Sequence, residues 1–256
     1  MGSALDVKRT VDRLAPAFYG TDGDRSAWGD WWLLLHPPYT LWHLSYVAIG
    51  ACLAPTVDGG RLVATLLAFF LAVGVGAHAL DELHSRPLGT HLSAGALVGA
   101  AIVGVGGAVA LGVVGVHRVG LGLAVFIVVG AVLVCAYNLE LFGGRLHGDV
   151  LFGLAWGAFP VGTGYYAQAS TLRPSTVAAA AAAFFCSMAQ RSLSTRARHL
   201  RRSVDHVQGT MRLRNGDTVP IDRSTLLDPI EGSLKALAAA MVALAAALVL
   251  FRFARA

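Results

Sequence analysis

The chain of 256 residues is 55% hydrophobic and only 14% charged, and its mean hydropathy is +0.62. Soluble domains average about 25% charged residues, so this composition excludes an ordinary soluble protein and indicates an integral membrane protein. The formal net charge of +5 does not imply a nucleic-acid partner, because basic loops that face anionic membrane lipids account for it.

The first 36 residues form a polar N-terminal segment. Trp28, Trp31 and Trp32 lie near its end, and tryptophan is enriched where a membrane meets water. We therefore expect residues 1–36 to be a cytoplasmic segment that ends in an interfacial helix, and residues 37–256 to form a transmembrane helical domain.

Seven apolar segments follow, each near the roughly 20 residues that cross a bilayer. They cover residues 38–55, 62–80, 94–115, 119–139, 150–170, 175–190 and 233–251. In lipid, backbone polar groups must be satisfied within their own segment, so all seven are predicted to be helices. The sequence therefore predicts an all-α, polytopic membrane bundle of about seven transmembrane helices.

The basic residues predict the orientation of this bundle. If the seven segments alternate in direction, 15 of the 20 Lys and Arg residues lie on the side of the N-terminus. Basic loops stay in the cytoplasm, so the N-terminus and the loop 191–230 are predicted to be cytoplasmic in a multi-pass cell-membrane protein. Within that loop, Asn215-Gly216 between alternating residues predicts a β-hairpin with a type I′ turn.

Most ionisable residues at the helix ends lie on this same side. They are His78, Asp81, Glu82, His84, Arg86 and His91 after the second segment, Glu140, Arg145, His147 and Asp149 after the fourth, and Arg191, Arg196, Arg198, His199, Arg201 and Arg202 after the sixth. Ionisable residues at membrane depth are costly and are functional by default. This one-sided distribution predicts a polar chamber at the cytoplasmic mouth of the bundle.

Three residues of the first group predict a metal site. His78, Asp81 and Glu82 have the spacing i, i+3 and i+4, which places them on one helix face. Mg²⁺ takes one or two carboxylates and fills its other positions with water and phosphate oxygens. Histidine with carboxylate also suits iron or zinc, and the spacing does not choose between these metals.

The order of these features resembles the UbiA superfamily of intramembrane prenyltransferases. The acidic patch that ends the second segment runs into Arg86-Pro87-Leu88, as the first aspartate-rich motif of that family runs into an RPL segment. Tyr137 ends the fourth segment, where family members carry a tyrosine. The run QRSLSTRARHLRR stands where the second aspartate-rich motif would be, and it is basic where the family is acidic.

The resemblance implies a UbiA-like fold and the transfer of an isoprenoid group from a prenyl diphosphate to an acceptor that the sequence does not identify. It implies Asp81 and Glu82 as Mg²⁺ ligands, His78 as a ligand or general base, and an isoprenoid diphosphate or other lipid phosphate as the partner, among membrane lipids. The residues expected to bind phosphate or shape the acceptor side are Arg86, Tyr137, Glu140, Arg145, His147, Asp149, Arg191 and Arg198.

Two alternatives remain open. Because the second aspartate-rich motif is lost, the chain could be a catalytically inactive UbiA-like membrane protein that binds a lipid or a partner. Histidines and carboxylates on one side could also form a metal centre for lipid oxidation, although the compact histidine boxes of membrane desaturases are absent. A transporter has little support, since no inverted repeat is detectable.

Overall fold

The structure, a computed structural model, describes residues 26–254, so most of the predicted N-terminal segment lies outside the described residues. This part of the chain is mostly helical, which confirms the all-α prediction. The helices are α1 (Ala27–Leu34), α2 (Pro37–Cys52), α3 (Gly59–Ser85), α4 (Ala94–Val119), α5 (Leu123–Asn138), α6 (149–169), α7 (Pro174–Arg202) and α8 (Arg223–Phe253).

Each of the seven predicted apolar segments coincides with one of the helices α2 to α8. Among the described residues, α3, α4 and α8 are long and apolar enough to cross a membrane by length and composition, and α5 is apolar but shorter, at 16 residues. Buried polar residues such as Thr163 and Gln168 in α6 and Ser187 and Gln190 in α7 lower the hydropathy of those helices. The total of seven spans stays a prediction.

Half of the predicted loop 191–230 is helical, so its predicted boundaries are wrong. Helix α7 continues to Arg202, and α8 begins at Arg223 after Asp222, whose Oδ1 accepts a hydrogen bond from the backbone N–H of Thr225 at 2.8 Å. Arginine, alanine and leucine favour helix, and together they extend α7 beyond its apolar part. The two helices are joined by an ion pair between Arg201 and Glu231 at 2.6 Å.

The connection from α7 to α8 contains the predicted β-hairpin. Strands β1 (Gly209–Arg212) and β2 (Thr218–Ile221) are antiparallel, and Met211 stands opposite Val219. A type I′ turn requires positive φ at both central residues, but of Asn215 and Gly216 only Gly216 has it, at 95°. The turn prediction was therefore wrong, and the chain uses a longer connection, in which Leu213 N–H donates to the carbonyl of Asp217.

Two helices contain π-helical turns, Phe70–Ala77 in α3 and Leu154–Ala158 in α6. Such turns are rare and are frequently found at functional sites. The first ends directly before His78, and the second contains Trp156, whose ring packs with Tyr137 at the end of α5. Both irregular turns therefore adjoin the region where the predicted site residues lie.

Helices α2 and α6 cross at two glycines that allow their backbones to touch. A Cβ atom added at Gly50 would lie 2.1 Å from the carbonyl oxygen of Val161, and one at Gly164 would lie 2.3 Å from that of Val47. Small residues permit such close helix packing in membranes. This crossing fixes the position of α6 and therefore of Trp156.

We expect Gly164→Ala to lower the free energy of unfolding by about 2 kcal/mol or more, because the added methyl group meets backbone that cannot rotate away. Thermal unfolding in detergent micelles measures this loss. Gly106→Ala in α4 is the matched control, since a Cβ there has no atom within 4 Å, and it should be neutral or slightly stabilising. An equal loss in both variants would contradict the role of the crossing.

Candidate functional site

Arg191 of α7 is the centre of a group of polar side chains from four parts of the chain. Its Nη1 donates to the hydroxyl of Tyr137 at 2.7 Å, its Nε donates to Oδ1 of Asp149 at 2.5 Å, and its Nη2 donates to the carbonyl of His147 at 3.1 Å. The guanidinium carbon lies 4.7 Å from the ring centre of Phe152. A guanidinium held on three sides is fixed in direction, which is the property that phosphate recognition needs.

Tyr137 connects this arginine to the core of the bundle. Its ring stacks on His147 at 4.3 Å and meets the edge of Trp156 at 5.5 Å. The Tyr137 side chain is largely buried and belongs to a core cluster with Val73, Ala77 and Val134. Its hydroxyl is therefore held at the boundary between the apolar interior and the polar mouth.

Asp81 of α3 completes the group. The charged or titratable groups that interact electrostatically with its carboxylate are His147, Glu82, Arg198 and Glu140, and Asp81 in turn interacts with Tyr137. We call Asp81, Tyr137, His147, Asp149 and Arg191 the polar site. The structure thus brings together predicted residues from three separate groups, because the ends of α3 and α5, the start of α6 and the middle of α7 meet there.

Glu82 does not belong to the polar site, and the structure corrects its predicted role as a metal ligand and catalytic residue. The side chain is completely buried. Oε2 accepts a hydrogen bond from the N–H of Leu88 at 2.9 Å, and Oε1 accepts from the N–H and hydroxyl of Thr90 at 2.8 and 2.9 Å. Its carboxylate therefore satisfies the backbone of the turn between α3 and α4.

Arg86 has a similar structural task, and its predicted role as a phosphate ligand stays a prediction. It ends α3 in the left-handed conformation, with φ of 51°. Its Nη1 donates to the carbonyl of Leu92 at 2.7 Å and reaches that of Thr90 at 3.4 Å. The acidic patch and the Arg86-Pro87-Leu88 segment therefore form a folded turn in which Glu82 and Arg86 satisfy the backbone.

The remaining predicted residues surround the polar site at different distances. His78 is half-buried, and its Nδ1 lies 3.2 Å from the carbonyl of Gly74. Arg198 is exposed and donates to the hydroxyl of Thr195 at 3.2 Å. Glu140 and Arg145 are exposed on the loop between α5 and α6. These four are peripheral to the contacts that Arg191 makes.

The predicted Mg²⁺ site stays a prediction, and one of its two predicted carboxylates lies in the polar site. Between Ser26 and Ala254 there is no group of three His, Cys, Asp or Glu side chains arranged to hold a metal ion. Glu82 is turned into the loop, which leaves Asp81 as the one carboxylate of the predicted pair in the polar site. The positive charge beside it comes from arginine.

Sequence reasoning missed two histidines next to this site. His43 in α2 is buried, with Nδ1 2.9 Å from the carbonyl of Trp156 in a π-helical turn. The ring of His36 lies 4.6 Å from that of His78. His43 could have been found, since it is an ionisable residue inside a predicted span. His36 carried no comparable signal, because only folding places α1 and the start of α2 against the end of α3.

His36 gives the stability of the fold a pH dependence. Burial, followed by the charges of His78, Arg202 and Arg198, holds its pKa well below 6.5. As the pH falls below 6.5, the unfolded chain binds a proton at this residue that the folded chain does not bind, so folding stability decreases. His36 has φ of 44°, which asparagine tolerates.

We therefore expect His36→Asn to lose less stability than the wild type when the pH is lowered from 7 to 5.5. Melting temperatures measured across this range in one detergent test the difference. The same substitution at exposed His84 is the control for the change of side chain. Parallel curves for wild type and His36→Asn would show that His36 does not titrate in this way.

Comparison with protein-family models, with curated proteins and with solved structures gave no match for this chain. The likeness to the UbiA superfamily therefore rests on the sequence features described above. The geometry of the polar site is the observation from which a function can be argued.

Proposed function

We propose that the protein is a divergent UbiA-like integral membrane prenyltransferase that binds an isoprenoid diphosphate at the polar site. The observation that carries this proposal is the fixed guanidinium of Arg191, held by Tyr137, Asp149 and the carbonyl of His147. It lies where polar helix ends adjoin an apolar core, which suits a ligand with an anionic head and an apolar tail. The prediction of seven spans with a cytoplasmic N-terminus belongs to the same proposal.

The charge of the leaving group sets the main chemical demand. In prenyl transfer the bond between C1 and the diphosphate oxygen breaks, the electron pair leaves with the diphosphate, and C1 bonds to the acceptor. Groups placed beside the developing negative charge in a dry site supply several kcal/mol of stabilisation. Arg191 and the Tyr137 hydroxyl, which are 2.7 Å apart, are the donors proposed for this role, with Arg198 at the rim.

The acceptor must also lose a proton when it bonds to C1. Asp81 and His78 are the proposed proton acceptors, because they lie on one face of α3 at spacing i and i+3. The Nδ1 of His78 is directed at the Gly74 carbonyl, and a carbonyl only accepts hydrogen bonds. In the neutral ring Nδ1 therefore carries the proton and Nε2 is the basic atom.

A test uses purified protein in nanodiscs with C10, C15 and C20 prenyl diphosphates, each with and without Mg²⁺. Saturable binding together with release of diphosphate supports prenyl transfer. Binding without turnover, for a panel of aromatic and lipid acceptors, would support the second candidate, a catalytically inactive protein that binds a lipid phosphate. That candidate is favoured by one observation, the commitment of Glu82 to the loop. Absence of binding would contradict both.

A further inference from the structure

The bundle contains a large apolar cavity that the polar site does not use. Its volume is about 450 Å³, and it lies between α3, α4, α5 and α6. Alanine, valine, glycine and phenylalanine residues form most of its wall. Nothing in the amino-acid sequence indicated it, because each of these residues also fits an ordinary helix-packing surface.

The cavity is separate from the polar site. Val73, Val134 and Trp156 are among its lining residues, and no residue of the polar site lines it. Tyr137 packs with these three residues in one core cluster and is not itself a lining residue of the cavity.

The other end of the cavity has a charged mouth formed by Asp58, Arg61 and Arg118. Arg61 is committed to the fold, since it donates to the carbonyls of Gln168 at 3.2 Å and of Arg118 at 2.9 Å. Asp58 caps α3, with Oδ1 accepting from the N–H of Arg61 at 2.8 Å. The Arg118 side chain is exposed and makes no hydrogen bond within residues 26–254, so it is a cation available to a ligand.

The size of the cavity suits a single hydrocarbon chain. From Asp58 to Val73 is fifteen residues of α3, or about 22 Å at the helical rise of 1.5 Å per residue. The volume is about three times the roughly 150 Å³ of a cavity that holds one benzene molecule, which corresponds to about 18 carbon atoms. A space of this capacity holds one chain of about 16 to 18 carbons.

The charge at the mouth decides which headgroup such a chain carries. A hydrocarbon chain gains little by moving from lipid into an apolar cavity, because the two surroundings are equally apolar. Selectivity must then come from the headgroup. With two arginines and one aspartate the mouth is positive, and an exposed guanidinium forms charge-assisted hydrogen bonds with carboxylate or phosphate.

We propose that this cavity binds a single-chain amphiphile with an anionic headgroup, with the chain between α3 and α6 and the headgroup on Arg118. The site stands at the end of the bundle remote from the polar site, and it does not depend on the proposed prenyl transfer. It gives the protein a second ligand of defined chemistry, a fatty acid or another lipid with one chain and one anionic head.

Photo-crosslinking tests the site in nanodiscs made of uncharged phosphatidylcholine. The probe is a 16-carbon fatty acid with a diazirine in the middle of its chain, compared with the alcohol and the trimethylammonium compound of the same chain. Mass spectrometry locates the adducts. We expect adducts on the cavity-facing residues of α4 and α5, with the acid labelling about fivefold more than the alcohol and the cationic compound labelling least.

Two pairs of variants separate a built site from lipid on the outer surface. Ala108→Phe fills the cavity and should reduce labelling by the acid at least tenfold, whereas Ala110→Phe, two residues along α4 on an exposed position outside the cavity, should not. Arg118→Gln should remove the preference for the acid, whereas Arg173→Gln, also exposed, should keep it.

Equal labelling by the three probes, or equal labelling of the Ala108→Phe and Ala110→Phe variants, would show surface lipid only and would overturn the proposal. If Ala108→Phe does not fold, the Arg118→Gln variant tests the proposal: unchanged preference for the acid would overturn it. Arg191→Gln should leave labelling unchanged. A loss of labelling in that variant would instead show that the cavity and the polar site bind one ligand.

Discussion

Replacing Arg191 with Gln should weaken the binding of a C20 prenyl diphosphate about 100-fold. The variant loses both the positive charge that faces the diphosphate and the directed N–H groups. Each charge-assisted hydrogen bond contributes about 1.5–3 kcal/mol, and 1.4 kcal/mol corresponds to a tenfold change in affinity. Equilibrium binding of the labelled diphosphate to protein in nanodiscs measures this change in affinity. Arg191→Lys should fall between wild type and Arg191→Gln, because lysine keeps the charge but not the planar fork.

The matched control for this prediction is Arg196→Gln. Arg196 is exposed on the same helix, so it contributes to the general positive charge of the region without belonging to the polar site. Its replacement should change binding less than threefold. If both variants bind equally weakly, α7 attracts anions only by its overall charge, and the polar site does not recognise diphosphate.

The second large effect is expected at Glu82, and it is an effect on folding. Glu82→Gln replaces one accepting oxygen by an NH₂ group, which cannot accept the hydrogen bond from Leu88 or the pair from Thr90. Leaving buried backbone N–H groups unsatisfied should cost about 2–4 kcal/mol of folding free energy. Thermal unfolding in detergent measures it, and Glu82→Ala should be at least as destabilising.

The neighbouring Asp81→Asn provides the contrast. The side chain of Asp81 makes no hydrogen bond within the part of the chain that the structure describes, so this variant should keep the wild-type melting temperature and lose prenyl transfer. The two adjacent carboxylates thus separate a folding role from a functional one. A stable Glu82→Gln variant that had lost Mg²⁺-dependent binding would instead restore Glu82 as a metal ligand.

The difference between Asp81 and Glu82 explains why the sequence pattern predicted both carboxylates as metal ligands. At spacing i, i+3 and i+4 both carboxylates share a face with His78, and helical periodicity treats them alike. Which one meets solvent or ligand depends on how the chain returns after Arg86, and the turn to α4 places two N–H groups over Glu82. A short-range pattern contains no information about that return path.

The hairpin shows the same limit on a smaller scale. Asn215-Gly216 correctly marked the turn between two alternating segments, since β1 and β2 pair across it. The turn type was wrong because Asn215 is not in the left-handed region, where type I′ requires it. The position of a turn follows from local composition, whereas its conformation depends on the pairing register of the strands.

Composition and hydropathy by themselves determined the helical, membrane-type character of this protein, because about 20 consecutive apolar residues leave the backbone few other ways to satisfy its polar groups. They also placed the ionisable residues at helix ends. Only the tertiary structure decided that Arg191 meets Tyr137 and Asp149, that Glu82 and Arg86 hold a loop, and that an apolar cavity lies between α3 and α6. The first of these features depends on contacts between residues that are 42 and 54 positions apart in the chain, and only the packing of the helices brings such residues together.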